Sequence, residues 1–215
     1  MTQIPVNLYP EIFPRLNIAD IDVVEGAAGP GRRLVVWLQG CLKRCSGCAN
    51  AAFLIEKTNR VLSVEHLLKV LDETEVSGVT LSGGEPVAQA KALLPFLRAV
   101  GNRGLSVVCY SGYTLEELRR EDNDPALAEF LNRIDLLIDG EYERDLPRAG
   151  PYRSSSNQRL HFLSGRISED ECAENTETVF RITGSRAIAT GTLPFDIRRQ
   201  LFEKLRARGI TLTPD

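Results

Sequence analysis

Residues 37–50, WLQGCLKRCSGCAN, place cysteines at positions 41, 45 and 48. This stretch follows RRLVVWLQ, residues 32–39, a mostly apolar run that predicts a buried strand. The other two of the chain's five cysteines are Cys109 and Cys172. Three thiols in a polar loop at the end of a buried strand predict a metal or redox site.

Strand and helix patterns alternate after this loop. Ser63 is a helix N-cap, and Thr114 with Glu117 forms a capping box. Strands are predicted over residues 78–81, 105–110 and 134–139, and helices begin at Ser63, at residue 88 and at Thr114. This order predicts an α/β fold with a parallel sheet.

The length of the chain limits the architecture. A closed eight-stranded barrel needs about 250 residues, and each strand–helix–strand unit takes roughly 30, whereas this chain has 215 residues. We therefore expect an open, partial (βα) barrel over residues 1–164, including an N-terminal arm. Residues 165–215 carry their own strand and helix patterns and predict a small C-terminal α/β appendage.

Charge and hydropathy exclude several classes of protein. The 26 basic and 29 acidic residues give a net charge of −3 and are spread along the chain, so neither nucleic acid nor a membrane surface is expected as a partner. The first 20 residues lack a continuous apolar core, and no run reaches the roughly 18 apolar residues of a membrane span. We expect a cytoplasmic protein, in which clustered cysteines are metal ligands or redox groups.

Two motifs are expected to share one pocket. Ligands of parallel α/β sheets bind at the carboxyl ends of the strands. Both the cysteine loop and the turn containing Gly83 and Gly84 follow predicted strands. We therefore expect these two segments to lie side by side.

The C-x3-C-x2-C spacing leaves two kinds of metal site open. Three thiolates can hold three irons of a cubane cluster and leave the fourth iron free, whereas electron-carrier clusters are normally closed by four cysteines. A structural zinc ion needs a fourth protein ligand. That ligand would come from Cys109, Cys172, His66 or His161. Three unligated core cysteines are disfavoured, because the residues between them are polar.

The two motifs together resemble the radical S-adenosylmethionine (SAM) superfamily. Within it, the chain resembles the activating proteins of anaerobic ribonucleoside-triphosphate reductase over about residues 17–163. Gly47 stands before the third cysteine, as in those activators, but Ala49 replaces the tyrosine that commonly follows it. The matching segments are Gly29-Pro30-Gly31-Arg32, Gly40 to Cys48, Asn50, LSGGEP at 81–86, YSGYTLEEL at 110–118, LIDGEYERDL at 137–146 and YRSSSNQR at 152–159.

The resemblance assigns ligands for both cofactors. Cys41, Cys45 and Cys48 would ligate three irons of a [4Fe-4S] cluster, and SAM would chelate the fourth. The proposed SAM contacts are Gly47, Cys48 and Ala49 along the adenosyl part, Gly83, Gly84 and Glu85 at the ammonium group, and Ser111 and Asp139 around the methionyl carboxylate and ribose. Asp139-Gly140 is also a sequence typical of a simple turn.

The resemblance also implies the reaction. A one-electron donor such as flavodoxin or ferredoxin would reduce the cluster, SAM would be cleaved, and a glycyl radical would form on a partner enzyme. No protein acid or base is required for this chemistry. A radical SAM enzyme acting on another peptide or small molecule, and a non-catalytic iron–sulfur or zinc module, remain as alternatives.

Overall fold

The computed structural model describes residues 15–120, 124–148, 150–173, 178–183, 186–192 and 195–212. The first 14 residues of the predicted N-terminal arm lie outside these ranges. The strands are β1 Arg15–Glu25, β2 Arg32–Leu38, β3 Arg60–Ser63, β4 Gly78–Gly83, β5 Ser106–Ser111, β6 Leu136–Asp139, β7 Arg159–Phe162, β8 Val179–Thr183, β9 Arg186–Thr190 and β10 Thr211–Leu212. The helices are α1 Val64–Asp72, α2 Ala90–Asn102, α3 Leu115–Arg120, α4 Pro125–Asn132, α5 Glu169–Ala173 and α6 Phe195–Arg206, with short 3₁₀ helices at Ala51–Phe53 and Pro86–Gln89.

The first seven strands form one mixed sheet in the order β3-β1-β2-β4-β5-β6-β7. β2, β4, β5 and β6 are parallel, which confirms the α/β prediction for the centre of the sheet. The prediction of a wholly parallel sheet is wrong at both edges, where β1, β3 and β7 run antiparallel to their neighbours. β1 and β2 are joined by a short link closed by the hydrogen bond from Gly26 N to Gly31 O, 3.0 Å. A link this short connects only antiparallel strands.

The central strands are buried on both faces, as their continuous apolar runs predict. In β5, Val107 and Cys109 pack in the cluster formed with α2 and α4, whereas Val108 packs on the opposite face. Phe96 of α2 and Phe130 of α4 are fully buried in the first cluster. Cys109 is therefore a buried core residue that packs as a small hydrophobe.

A buried arginine joins the amino-terminal ends of the parallel strands. Arg33 donates through Nε to Thr80 Oγ1 at 2.7 Å, and through Nη2 to Val79 O at 2.7 Å and Ser106 O at 2.9 Å. Burial lowers its pKa to about 10. A Cβ at Gly78 would lie 2.6 Å from Arg33 Nη2, so glycine is required beside the guanidinium.

The C-terminal region contains the strands and the helix that its sequence predicts. β8, β9 and β10 form a separate sheet in the order β10-β9-β8, and α6 lies between β9 and β10 in the chain. Ile167 and Cys172, however, pack with Val108, Leu136 and Ile138 of the main sheet. Across the described ranges, no helix is both long enough and apolar enough to cross a bilayer.

Candidate functional site

Four loops meet at the carboxyl ends of the parallel strands. The cysteine loop follows β2, the Gly83-Gly84-Glu85 turn ends β4, and the segments after Ser111 and Asp139 follow β5 and β6. Because these strands are parallel and adjacent, the loops leave the sheet at the same edge. The structure thus brings together the two motifs that the sequence predicts to share a pocket.

Backbone hydrogen bonds attach the cysteine loop to the segment that follows it. Gly40 N donates to Phe53 O at 2.8 Å, and Cys41 N donates to Leu54 O at 3.1 Å. The Asn50 side chain donates through Nδ2 to Gly83 O at 3.3 Å. Asn50 therefore connects the loop to the glycine turn of β4.

Amide N–H groups are directed at all three thiols of the loop. The backbone N–H groups of Lys43 and Arg44 bond to Cys41 Sγ, and that of Tyr142 bonds to Cys45 Sγ. Asn50 N donates to Cys48 Sγ at 3.4 Å. Such donors stabilise metal-bound thiolates and tune iron–sulfur clusters, so the loop fits a cluster ligated by three cysteines.

Burial favours the protonated form of Cys41 and Cys45. Desolvation raises the pKa of Cys41 to about 11, and the nearby Glu85 carboxylate raises it further. Desolvation also raises the pKa of Cys45. Metal binding at this loop is consequently coupled to the release of thiol protons.

The residues considered as a fourth zinc ligand lie away from the loop. Cys109 and Cys172 are buried in core clusters on opposite faces of the sheet. His66 lies on α1, and His161 on β7 pairs with β6. Within the described residues, no three His, Cys, Asp or Glu side chains converge on the position of a single metal ion.

Gly83 and Gly84 pack against the backbone that leads into the cysteine loop. Gly83 has a φ of +101°, and a Cβ there would lie 2.4 Å from Leu38 N. A Cβ at Gly84 would lie 2.2 Å from Gly40 O. The two glycines therefore allow the turn and the cysteine loop to touch, a requirement that the sequence does not reveal.

Glu85 is a buried carboxylate with three hydrogen-bond donors. Its Oε1 accepts from Ser111 Oγ at 3.1 Å and from Val87 N at 3.0 Å, and its Oε2 accepts from Gly112 N at 2.8 Å. Burial raises its pKa to about 7, although these donors and Lys43 oppose the shift. A carboxylate has about four acceptor sites, so Glu85 can accept one further donor such as an ammonium group.

Ser111 and Asp139 both make structural contacts at the same edge. The Ser111 hydroxyl donates to Glu85 and accepts from Tyr113 N at 3.1 Å. Asp139 is fully buried and accepts from Leu115 N and Arg159 Nη2, both at 2.7 Å. It therefore fixes the start of α3.

His161 also approaches Asp139. His161 Nε2 lies 2.9 Å from Asp139 Oδ2, but the two atoms do not form a hydrogen bond. Gly47 has a φ of +77° and turns the loop ahead of Cys48, while Ala49 is exposed. All eight predicted SAM contacts thus lie at this edge, either in the four loops or at the last residue of the strand before the loop.

Lys43 contacts residues in two other loops of the site, and the sequence alone does not predict these contacts. Its Nζ lies 2.9 Å from Glu141 Oε1, 3.9 Å from Glu117 Oε1 and 4.2 Å from the centre of the Tyr113 ring. The lysine therefore links the loops that follow β2, β5 and β6. The only sequence feature that could indicate this linking role is the position of Lys43 between Cys41 and Cys45. That position is equally typical of a solvated loop.

Residues 27–161 match the family model described as a 4Fe-4S single cluster domain. The match covers more than half of the chain and includes the cysteine loop and the other three loops of the site. The chain is therefore a member of this iron–sulfur family.

Similar proteins of known name identify a more specific family. The anaerobic ribonucleoside-triphosphate reductase-activating protein of Enterobacteria phage T4 is 30% identical over 140 residues, covering 61% of this chain and 85% of that protein. The protein of the same name from Escherichia coli (strain K12) is 30% identical over 159 residues, covering 66% and 94%. This chain belongs to the family of anaerobic ribonucleoside-triphosphate reductase-activating proteins.

Two further proteins are similar to a smaller part of this chain. A putative glycyl-radical enzyme activating enzyme from Haemophilus influenzae is 35% identical over 105 residues, covering 46% of this chain and 38% of that protein. The crystal structure of QueE from Escherichia coli aligns with 58% of this chain and 70% of its own, with a TM-score of 0.38 and 18% identity. The latter likeness is too low to bear on function.

Proposed function

We propose that this chain is a radical SAM activating enzyme that generates a glycyl radical on an anaerobic ribonucleotide reductase. Family membership supports the reaction class. The observation that carries the proposal is the contact between the three-cysteine loop and the Gly83-Gly84-Glu85 turn. Asn50 bonds to Gly83 O, and Glu85 N donates to Gly40 O at 2.8 Å.

The family resemblance implies which residues would hold the cofactors, and the contact between the two motifs supports that assignment. Cys41, Cys45 and Cys48 would bind the [4Fe-4S] cluster. SAM would contact Gly47, Cys48, Ala49, Gly83, Gly84, Glu85, Ser111 and Asp139. When bound, the reduced cluster and SAM supply the radical chemistry that removes a hydrogen atom from a glycine of the partner.

The chain's own groups bind and orient the cofactor. The remaining acceptor site of Glu85 suits the SAM ammonium group, and Ser111 fixes the orientation of that carboxylate. Asp139 already accepts from Leu115 N and from Arg159, so it acts mainly by holding the loop after β5 in position. None of these groups has to transfer a proton.

The partner's glycine segment needs an approach to this edge of the sheet. A cavity of about 630 Å³ lies beside the loop after β6, lined by Tyr142, residues 144–148, Ser154, and Asp196 and Arg199 of α6. Because Tyr142 N also bonds to Cys45 Sγ, the cavity adjoins the cysteine loop. We propose that the partner's glycine segment reaches the site through this cavity.

The proposal also covers the architecture, the domain division and the cellular location. The open seven-stranded sheet supports an open, partial barrel. The separate β8–β10 sheet supports a division into residues 1–164 and 165–215, although Ile167 and Cys172 pack with the main sheet. All five cysteines are free thiols, which supports a location in the cytoplasm.

Anaerobic reconstitution tests the metal centre. We expect roughly four irons and four sulfides per chain, and slow formation of 5′-deoxyadenosine from SAM under strong reductant. Replacing Cys41, Cys45 or Cys48 by Ala should abolish both, whereas Cys109→Ala and Cys172→Ala should retain the iron. One zinc and no iron per chain would contradict the proposal.

A further inference from the structure

The outer side of the cysteine loop carries exposed apolar and basic side chains. Leu42 is 45% exposed and Ile55 is 56% exposed, and both are among the most exposed large apolar residues of the described chain. The Arg44 side chain is 70% exposed, and Lys57 is also exposed. We call these four residues the loop face.

The loop face is one continuous surface. Gly40 and Cys41 bond to Phe53 and Leu54, so residues 41–44 run beside residues 54–57. Arg44 Nη2 lies 3.6 Å from Glu56 Oε1, which confirms that the two segments remain adjacent beyond those bonds.

The charge of this region is opposite to that of the whole chain. Residues 41–60 contain four basic side chains and one acidic side chain, a net charge of +3, whereas the chain has a net charge of −3. Lys43 turns inward to Glu141, and Arg60 pairs with Asp20 at 3.0 Å. Arg44 also lies 3.6 Å from Glu56, but its side chain stays 70% exposed, so Arg44 and the exposed Lys57 are the cations that the region presents to a partner.

The inner side of the cysteine loop, which faces the other loops of the site, is occupied by contacts within the chain. It contacts Gly83 through Asn50, and Lys43 connects it to Glu141. The proposed SAM and partner-glycine sites lie on that side. A molecule that only delivers an electron is therefore best received on the outer side, within a few residues of the three thiols.

We propose that the loop face is the docking surface for a small acidic one-electron carrier protein. This inference rests on the proposed iron–sulfur function. One electron passes from the carrier's reduced cofactor to the oxidised cluster, the carrier is left one electron more oxidised, and no bond in this chain forms or breaks. Steering between an acidic carrier and basic side chains raises the association rate, and exposed apolar side chains suit a small, transient contact.

The experiment compares two reductants on the reconstituted protein without SAM. The probes are fully reduced flavodoxin, which is an acidic carrier, and photoreduced deazaflavin, which is small and uncharged. The readout is the rate of cluster reduction in stopped flow, so the result does not depend on SAM cleavage. The variants are Arg44→Glu with Lys57→Glu, and separately Ile55→Ser.

The matched control is Lys69→Glu. Lys69 lies in the last turn of α1, shortly before β4 begins, and its side chain is 75% exposed. It is therefore near the amino-terminal ends of the parallel strands, at the edge opposite the loop face. The substitution introduces the same kind of charge reversal away from the cluster.

We expect the double variant to slow reduction by flavodoxin on the order of tenfold at low salt. The difference should shrink as salt screens the charges. Ile55→Ser should also slow flavodoxin, at all salt concentrations. Reduction by deazaflavin should be unchanged in both variants, and Lys69→Glu should behave like the parent protein. Unchanged reduction by flavodoxin, or equal slowing with both reductants, would overturn the proposal.

Discussion

Glu85 Oε1 accepts a hydrogen bond from the Ser111 hydroxyl across 3.1 Å, although the residues are 26 positions apart in the chain. This bond joins the end of β4 to the end of β5. It orients a buried carboxylate that lies close enough to the cysteine loop to raise the pKa of Cys41. The proposed SAM site requires this carboxylate to be charged and held in a fixed orientation.

Replacing Glu85 by Gln tests that dependence. Glutamine keeps the shape but loses the charge, and its amide NH2 would face a backbone N–H donor. We expect the Kd for SAM to rise on the order of 10- to 100-fold, since hydrogen bonds to charged groups contribute about 1.5–3 kcal/mol. Equilibrium binding to the reconstituted protein measures this, and the iron content should be unchanged. An unaltered Kd would remove Glu85 from the SAM site.

Replacing Gly84 by Ala tests the contact between the turn and the cysteine loop. The added Cβ would meet Gly40 O at 2.2 Å, so one of the two segments has to move. We expect iron content after reconstitution to fall sharply. Gly165→Ala is the control, because a Cβ there meets no atom within 4 Å. Normal iron content in the Gly84 variant would show that the contact is dispensable.

Replacing Arg33 by Met tests the buried arginine. The change leaves the carbonyls of Val79 and Ser106 without this donor. We expect the free energy of unfolding to fall by about 3 kcal/mol, measured by urea denaturation. Arg32→Met, at the adjacent exposed position, should have little effect. Equal effects of the two substitutions would contradict a special role for Arg33.

The ion pair between Glu116 and Arg159 should make the free energy of unfolding depend on pH. The bond from Arg159 lowers the pKa of Glu116 to about 2 from an ordinary 4.5. Since the folded-state pKa is the lower one, the contribution is present above pH 4.5 and is lost as pH falls towards 2. The difference in unfolding midpoint between the parent and Glu116→Gln should shrink over that window. In an Arg159→Met background the difference should be small at every pH; a difference as large and as pH-dependent as in the parent background would contradict the assignment.

The cysteine loop, the glycine turn and the central parallel strands were predictable because their signals are local. The 41–48 spacing, the apolar runs of β4 and β6, and the capping box of Thr114 and Glu117 each occupy a few consecutive residues. The structure confirms that box through hydrogen bonds of 2.7 and 3.2 Å.

The antiparallel edges were not predicted because distant contacts stabilise them. Asn17 interrupts the apolar pattern of β1, and it is buried only because Gln89, 72 positions away, bonds to its backbone N–H and C=O. β7 is short and begins at Arg159, which pairs with Asp139 across the sheet. The linking role of Lys43 likewise depends on Glu141, 98 positions away.

The proposed reaction of this chain is the formation of a glycyl radical on an anaerobic ribonucleotide reductase. The most direct test mixes the reduced, reconstituted protein with SAM and its cognate reductase and records the electron paramagnetic resonance spectrum. We predict a stable doublet on the reductase that collapses when the glycine α-hydrogen is replaced by deuterium. Formation of 5′-deoxyadenosine without a radical on the reductase, together with consumption of another peptide or metabolite, would contradict the claim.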